Sequence, residues 1–261
     1  MHRAGLRCRL LLSAGALPRR LLAEFVGSAL LVTVVVGSGT AAERLSPGDV
    51  GLQLLENSFA TVLGLTVLIL LFGPISGGHF NPVVSAVDWW LGRRAGNGVT
   101  GRELGGYALV QTVGGVAGAV LANVMFDVSV TELAGKDRNG SHLWVGEVVA
   151  TAGLIAVIFG LARTRRGAWS APAVGAYIGA AYWFTSSTAF ANPAVTLGRM
   201  FSDTFTGISP ASVPPFLVAQ LVGGLLGAGL VLALYPDVAA VADDVVVPRE
   251  DRSPALEEFD E

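Results

Sequence analysis

Charge is what this chain has least of. Only 14% of its 261 residues are charged while 52% are hydrophobic, against roughly a quarter charged in a soluble domain. A water-surrounded globule is thereby excluded. Cys8 is the only cysteine, which rules out a disulfide framework and a thiol-bound metal cluster. Three histidines are present, and the apolar runs hold neither a His/Asp/Glu metal cluster nor a nucleophile–base pair. Enzymatic chemistry, a metal and an organic cofactor are therefore not expected. A net charge of −3 is too small to suggest nucleic acid or another polyanion as a partner. The short alternating strands of a transmembrane β-barrel are missing too.

What is present is a set of long apolar runs. A hydrocarbon core of about 30 Å needs about 20 helical residues. Six runs approach or meet that length: 19–41, 52–72, 103–125, 143–162, 169–187 and 212–235. Two shorter ones, 82–92 and 193–202, reach half-way. The predicted class is an all-α membrane protein with six transmembrane helices and two re-entrant half-helices, with the lipid bilayer as its surroundings.

The opening Met1–Leu17 loosely mimics a signal peptide. Its apolar octet Leu10–Leu17 is short and Arg19-Arg20 follow directly, so residues 1–18 read as a basic cytoplasmic tail. Basic residues set the orientation. Thirteen of the 17 lie in the two tails and the second and fourth connections; the other connections hold Arg44, Lys136, Arg138 and Arg199. Both termini are predicted to be cytoplasmic, in a bacterial-type inner membrane. The stretch 237–261 carries nine acids against Arg249 and Arg252 and reads as an acidic disordered tail. The membrane-embedded domain is expected to be 19–236, with repeats at about 19–125 and 143–235.

The repeat is carried by paired residues. Glu24 and Glu147 are 123 apart, Asn81 and Asn192 are 111 apart, and Gln111 and Gln220 are 109 apart. Each half is span, span, broken half-helix, span. Three spans per half make the second half enter from the opposite face, an inverted repeat with a pathway between the halves. Gly114/Gly118 and Gly223/Gly227 are small-xxx-small pairs suited to close helix approach. Gly73-Pro74 is predicted to end the second span. Asn81-Pro82-Val83 and Asn192-Pro193-Ala194 each place an N-cap before a proline at the first helical position. Non-helical backbone at membrane depth survives only beside protein or a water-filled cavity. The half-helix N-termini then meet near the midplane, where each Asn accepts a backbone N–H and keeps its NH₂ for a passing oxygen, and the positive helix ends oppose cations.

On these residues, with Ser76-Gly77-Gly78-His79-Phe80-Asn81-Pro82, Glu24, Glu147, Gln111 and Gln220, the chain resembles the aquaporin and aquaglyceroporin (major intrinsic protein) family from about Arg20 to Tyr235. The resemblance implies a passive pore for small neutral solutes in each protomer of a homotetramer. It also implies that Glu24 and Glu147 hold the re-entrant backbone. Counting from the Asn-Pro pairs carries over a selectivity filter of Thr61, Ala180, Ala189 and Val195. Two departures stand out. Val83 replaces the family's usual Ala, and Val195 stands where most members have an Arg. That ring is expected to be wide and apolar, unless Trp183 or Phe190 refills it. Arg199 is expected to cap its helix or to pair with Asp203, not to replace the missing charge. The run Tyr182–Thr196 resembles a bacterial branch that lacks the filter Arg and is associated with arsenic resistance. That implies passage of water, glycerol-like polyols and uncharged arsenite, As(OH)₃. His79 reads as a bonded loop histidine and His142 as an external-loop residue. The competing reading is an ion-coupled secondary transporter, which also uses inverted repeats and broken helices.

Overall fold

Capping chemistry sets the helix boundaries. Asp49 Oδ1 accepts the Leu52 N–H at 2.9 Å and starts one helix. Thr100 and Glu103 form a reciprocal capping box and start another. Asn81 and Asn192 have extended backbone (φ −152° and −158°) and each is followed by proline at the first helical position. The structure, a computed structural model, describes residues 2–93 and 97–236, with side chains from Leu17 onward. The side chains of Arg3, Arg7, Cys8 and Arg9, all of Arg94, and the acidic stretch 237–261 lie outside the described residues.

Among the described residues there are eight α-helices and no strand. They are α1 His2–Leu45, α2 Val50–Ser76, α3 Pro82–Gly92, α4 Gly101–Met125, α5 Ser141–Arg163, α6 Ser170–Phe184, α7 Pro193–Arg199 and α8 Val213–Leu234. Five segments are long and apolar enough to cross a membrane: Leu17–Leu45, Val50–Ser76, Gly101–Met125, Ser141–Arg163 and Pro210–Leu234. The sixth expected span is shorter. Helix α6 has 15 residues, about 22 Å at 1.5 Å per residue, and a 3₁₀ turn at Gly167–Trp169 leads into it. The second span also differs from expectation, because α2 continues through Pro74 to Ser76. Proline removes one helical hydrogen bond, and here the helix absorbs that loss. The stop is Gly77, left-handed at φ 94°, whose N–H returns to Gly73 O at 2.8 Å.

The two halves pack alike. Helix α1 lies against α2 and α4, as α5 lies against α6 and α8, and the halves meet through α2–α6, α4–α7, α3–α8 and α3–α7. Glycines set the closest approaches. A Cβ on Gly114 would stand 2.5 Å from Phe25 O, and one on Gly118 2.1 Å from Ala29 O. In the other half, a Cβ on Gly223 would stand 2.6 Å from Val148 O, and one on Gly227 2.5 Å from Ala152 O. Phe25 and Val148 each follow the glutamate of their half, so the repeat extends to the backbone contact itself. The outward faces stay apolar: Leu63, Val67, Leu70, Leu221 and Leu225 are all exposed, as suits helices bathed in lipid.

These contacts predict different outcomes for two similar substitutions. Gly118→Ala drives a methyl into the α1 backbone and should cost about 1–3 kcal/mol, read as a lower melting temperature in detergent. Gly229→Ala, where nothing lies within 4 Å, should be neutral or stabilising by up to about 1 kcal/mol. Equal effects would contradict the packing.

Candidate functional site

Two non-helical stretches, 77–81 and 185–192, lie inside the helix bundle. Their backbone cannot pair as helix, so other groups must take its N–H donors. Glu24, fully buried on α1, does this for the first: Oε1 accepts from His79 N (3.0 Å) and Ser76 Oγ (2.6 Å), Oε2 from Phe80 N (2.7 Å) and Gln111 Nε2 (2.7 Å). Glu147, fully buried on α5, does it for the second. It accepts from Phe190 N (2.9 Å), Ala191 N (2.8 Å) and Gln220 Nε2 (2.6 Å). Each glutamine also reaches a hydroxyl four residues beyond its Asn: Gln111 Nε2 to Ser85 Oγ at 3.1 Å, Gln220 Nε2 to Thr196 Oγ1 at 2.8 Å. Those hydroxyls donate to Asn81 O and Asn192 O. Ser85 and Thr196 were not singled out in the sequence, although their equal offset from the two asparagines was a usable signal.

The asparagines then lock the halves together. Asn81 Oδ1 accepts from Val83 N (3.0 Å), and Asn192 Oδ1 from Ala194 N (2.9 Å) and Val195 N (3.3 Å). Asn81 Nδ2 donates to Ala191 O and Asn192 Nδ2 to Phe80 O, both at 2.8 Å. Each amide has two N–H groups, so the cross-bond takes one and leaves one at the cavity wall. The arrangement requires left-handed backbone at matching places: Gly77, Gly78 and Phe80 in the first stretch, Thr188, Ala189 and Ala191 in the second.

A cavity of about 60 Å³ runs beside both asparagines. Its walls are one-turn stripes: Leu31 and Val35 on α1, Thr61, Leu65 and Ile69 on α2, Leu154 and Ile158 on α5, Val174, Ile178 and Tyr182 on α6. Val84, Val195 and Arg199 and the non-helical residues 78–81 and 189–192 complete it. It is mostly apolar, with amide, hydroxyl and guanidinium groups at separate points.

Of the four residues expected to form a ring, Thr61, Ala189 and Val195 line this cavity and Ala180 does not. Ala180 is exposed, because the inward stripe of α6 runs 174–178–182 and residue 180 falls about 200° round from 178. Tyr182 lines the cavity instead, with its hydroxyl 3.2 Å from Thr61 Oγ1. Trp183 does not line the cavity: it is half exposed, and its indole N–H donates to Ser58 Oγ on α2. Phe190 does line the cavity, held edge-on by Phe216 with centroids 5.2 Å apart.

Arg199 also departs from expectation. Helix α7 stops at Arg199, so Asp203 is not one helical turn further on; Asp203 Oδ1 instead accepts from Gly135 N. Buried at 3% exposure, Arg199 lines the cavity, with its Nε donating to Thr206 O. His79 is a bonded histidine, Nδ1 lying 3.0 Å from Ser85 Oγ with the ring edge-on to Tyr107. His142 is an exposed residue at the start of α5. Val83 is buried but points away from the cavity into the α3–α8 contact, with its Cγ1 2.5 Å from where a Gly224 Cβ would stand. Val83 therefore does not crowd the cavity, because Gly224 makes room for it.

The family model described as "Major intrinsic protein" matches residues 12–186 and 180–255. An aquaglyceroporin, AqpS, of Rhizobium meliloti is 45% identical over 216 residues, spanning 82% of this chain and 89% of that protein. A glycerol uptake facilitator protein of Pseudomonas aeruginosa is 31% identical, spanning 85% and 92%. Aquaporin Z of Photorhabdus laumondii is 29% identical, spanning 84% and 98%. The X-ray structure of the aquaglyceroporin from Plasmodium falciparum superposes with a TM-score of 0.58 at 20% identity, spanning 87% of this chain and 99% of that one.

The Val83–Gly224 contact predicts a coupling. Gly224→Ala alone should destabilise by about 1–3 kcal/mol through overpacking, and Val83→Ala in the same chain should recover most of it. A melting-temperature cycle tests this, and additive losses would contradict the contact.

Proposed function

Because the chain belongs to the major intrinsic protein family, multi-pass membrane channels and not enzymes, we propose that it passes small neutral solutes down their gradients. Water and glycerol-like polyols are supported by the names of its relatives. Uncharged arsenicals such as arsenite form the finer part of the proposal.

Its mechanism follows from the cavity. A permeating molecule sheds most of its hydration against the apolar stripes. At mid-depth its oxygen accepts the remaining N–H of Asn81 and of Asn192, while carbonyls of the non-helical stretches take its hydroxyl hydrogens. The two half-helix N-termini meet there, and their positive ends disfavour cations. Pro82 and Pro193 hold those helix starts in place. Glu24 and Glu147 are the supports of the re-entrant backbone. Thr61, Tyr182, Ala189 and Val195 form the narrow part beyond the second Asn-Pro-Ala, with Tyr182 in place of Ala180.

The observation that carries the arsenical reading is Val195. It follows Asn192-Pro193-Ala194, faces the cavity and offers no donor. A guanidinium there would present five donors and a fixed charge; an isopropyl group leaves room for a three-hydroxyl solute. As(OH)₃ is neutral near pH 7 and resembles a small polyol in size and hydroxyl placement. An inner-membrane location with both termini cytoplasmic, and a homotetramer with one pathway per protomer, belong to the same proposal. The orientation rests on the thirteen basic residues that the sequence places in the two tails and in the second and fourth connections. Ion-coupled transport is the weaker reading, since both buried carboxylates are already engaged by backbone and glutamine donors.

Stopped-flow measurements on proteoliposomes test this. Wild type should pass water, glycerol and arsenite without saturation and without a proton or sodium gradient. Val195→Arg should lower glycerol and arsenite flux on the order of tenfold and water flux by no more than about twofold. Water and glycerol flux without arsenite flux would remove the arsenical part. Equal effects of the substitution on all solutes would show that residue 195 is not at the constriction.

A further inference from the structure

The face opposite the N-terminus carries a cluster of three cations, two of them on one aromatic ring, and the channel reading does not use it. Arg199 ends α7, four residues after Val195 and so on the same helix face. Its guanidinium carbon lies 3.5 Å from the Phe190 ring centroid. Arg138, from the α4–α5 connection, approaches the same ring at 5.0 Å and is fixed by Nε donation to Gly207 O at 2.8 Å. Lys136 Nζ donates to Phe205 O at 2.8 Å and lies over the Phe205 ring at 4.7 Å. Desolvation, then repulsion from Arg138 and Arg199, pushes the Lys136 ammonium down to about 8.

Arg199 makes no ion pair among the described residues, and the one carboxylate that acts on it through space, Glu147, is already engaged by loop and glutamine donors. Among the described residues the one ion pair is Arg20–Glu103, on the other face. Asp203 is bonded to Gly135 N, and Asp137 to Ser212 and Asn139. The Nε of Arg199 is used by Thr206 O, while its two terminal nitrogens have no hydrogen-bond partner among the described residues. A buried cation is costly unless paired or hydrogen-bonded. Here a paired guanidinium is replaced by one stacked on an aromatic face, with its free edge at the wall of the cavity.

We propose that Arg199, seated on Phe190 and reinforced by Arg138, is the charged specificity residue of the outer mouth, excluding cations and offering the N–H groups of its two terminal nitrogens to neutral hydroxylated solutes. The fixed charge is thus displaced by one helical turn from position 195. The narrow ring around Val195 stays free of it, so solute size and charge are screened at different depths. This rests on the channel reading, and it changes what that reading expects: a filter without an arginine at 195 remains tight to cations.

The test measures water flux and proton or sodium leak in the same proteoliposomes. Arg199→Met, Phe190→Leu and Arg138→Met are compared with wild type, and size-exclusion retention selects the folded variants. Arg199→Met should raise cation leak relative to water flux in the same vesicles about tenfold or more. Phe190→Leu, which removes the seat, should raise it in the same direction. Arg138→Met, a loop substitution, should give an intermediate leak of about threefold. Cation leak equal to wild type in every folded variant overturns the assignment. Absence of water and polyol flux in wild type would instead overturn the channel reading, so the two failures are distinguishable.

Discussion

Everything in this molecule depends on two buried carboxylates that accept backbone N–H groups at membrane depth. In hydrocarbon an unsatisfied backbone donor costs several kcal/mol, and a loop folded back into the bundle exposes several at once. Glu24 and Glu147 each engage two consecutive loop N–H groups and a glutamine amide. The glutamines also bond Ser85 and Thr196, which bond the asparagine carbonyls. Carboxylate, glutamine, hydroxyl and asparagine therefore form one connected network per half. The Asn–carbonyl cross-bonds at 2.8 Å join the two networks where the half-helices meet.

The halves match in bonding but differ in how they tolerate strain. The first stretch places glycine at two of its three left-handed positions, Gly77 and Gly78, and the second uses Thr188, Ala189 and Ala191. Left-handed backbone disfavours residues with a Cβ, so the second stretch needs its surroundings to hold it more firmly. Thr185, Ser187 and Phe190 supply part of that hold: Thr185 Oγ1 bonds Ala181 O, Ser187 Oγ accepts from Ala189 N, and Phe190 is clasped by Phe216 and two guanidinium groups. The same Phe190 thus supports the loop and seats the cationic mouth.

Much of this was legible in the sequence because it recurs. Paired Glu, Asn and Gln in the same order at offsets of 109 to 123 marked the inverted repeat, and the paired glycines marked the helix contacts. What failed did so where helical periodicity does not hold. Counting back from Asn192 to Ala180 crosses the non-helical stretch 185–192, whose length in turns no periodic rule fixes, and the inward residue is Tyr182. Pairing Arg199 with Asp203 requires helix through residue 203, whereas α7 ends at Arg199. Gly73-Pro74 looked like a stop, but one lost hydrogen bond did not end α2 before Gly77. Arg138 sits in a connection without periodicity, and nothing in the sequence joins it to Phe190.

The central claim is that the re-entrant backbone, and with it the pathway, stands on the glutamates. Glu147→Gln is nearly isosteric but puts an NH₂ against donors that a carboxylate accepted, which should cost roughly 3 kcal/mol or more. Osmotic water permeability per folded protein in proteoliposomes is the direct measurement. The account predicts a loss of about tenfold or more for Glu147→Gln and for Glu24→Gln; wild-type permeability in both would contradict it.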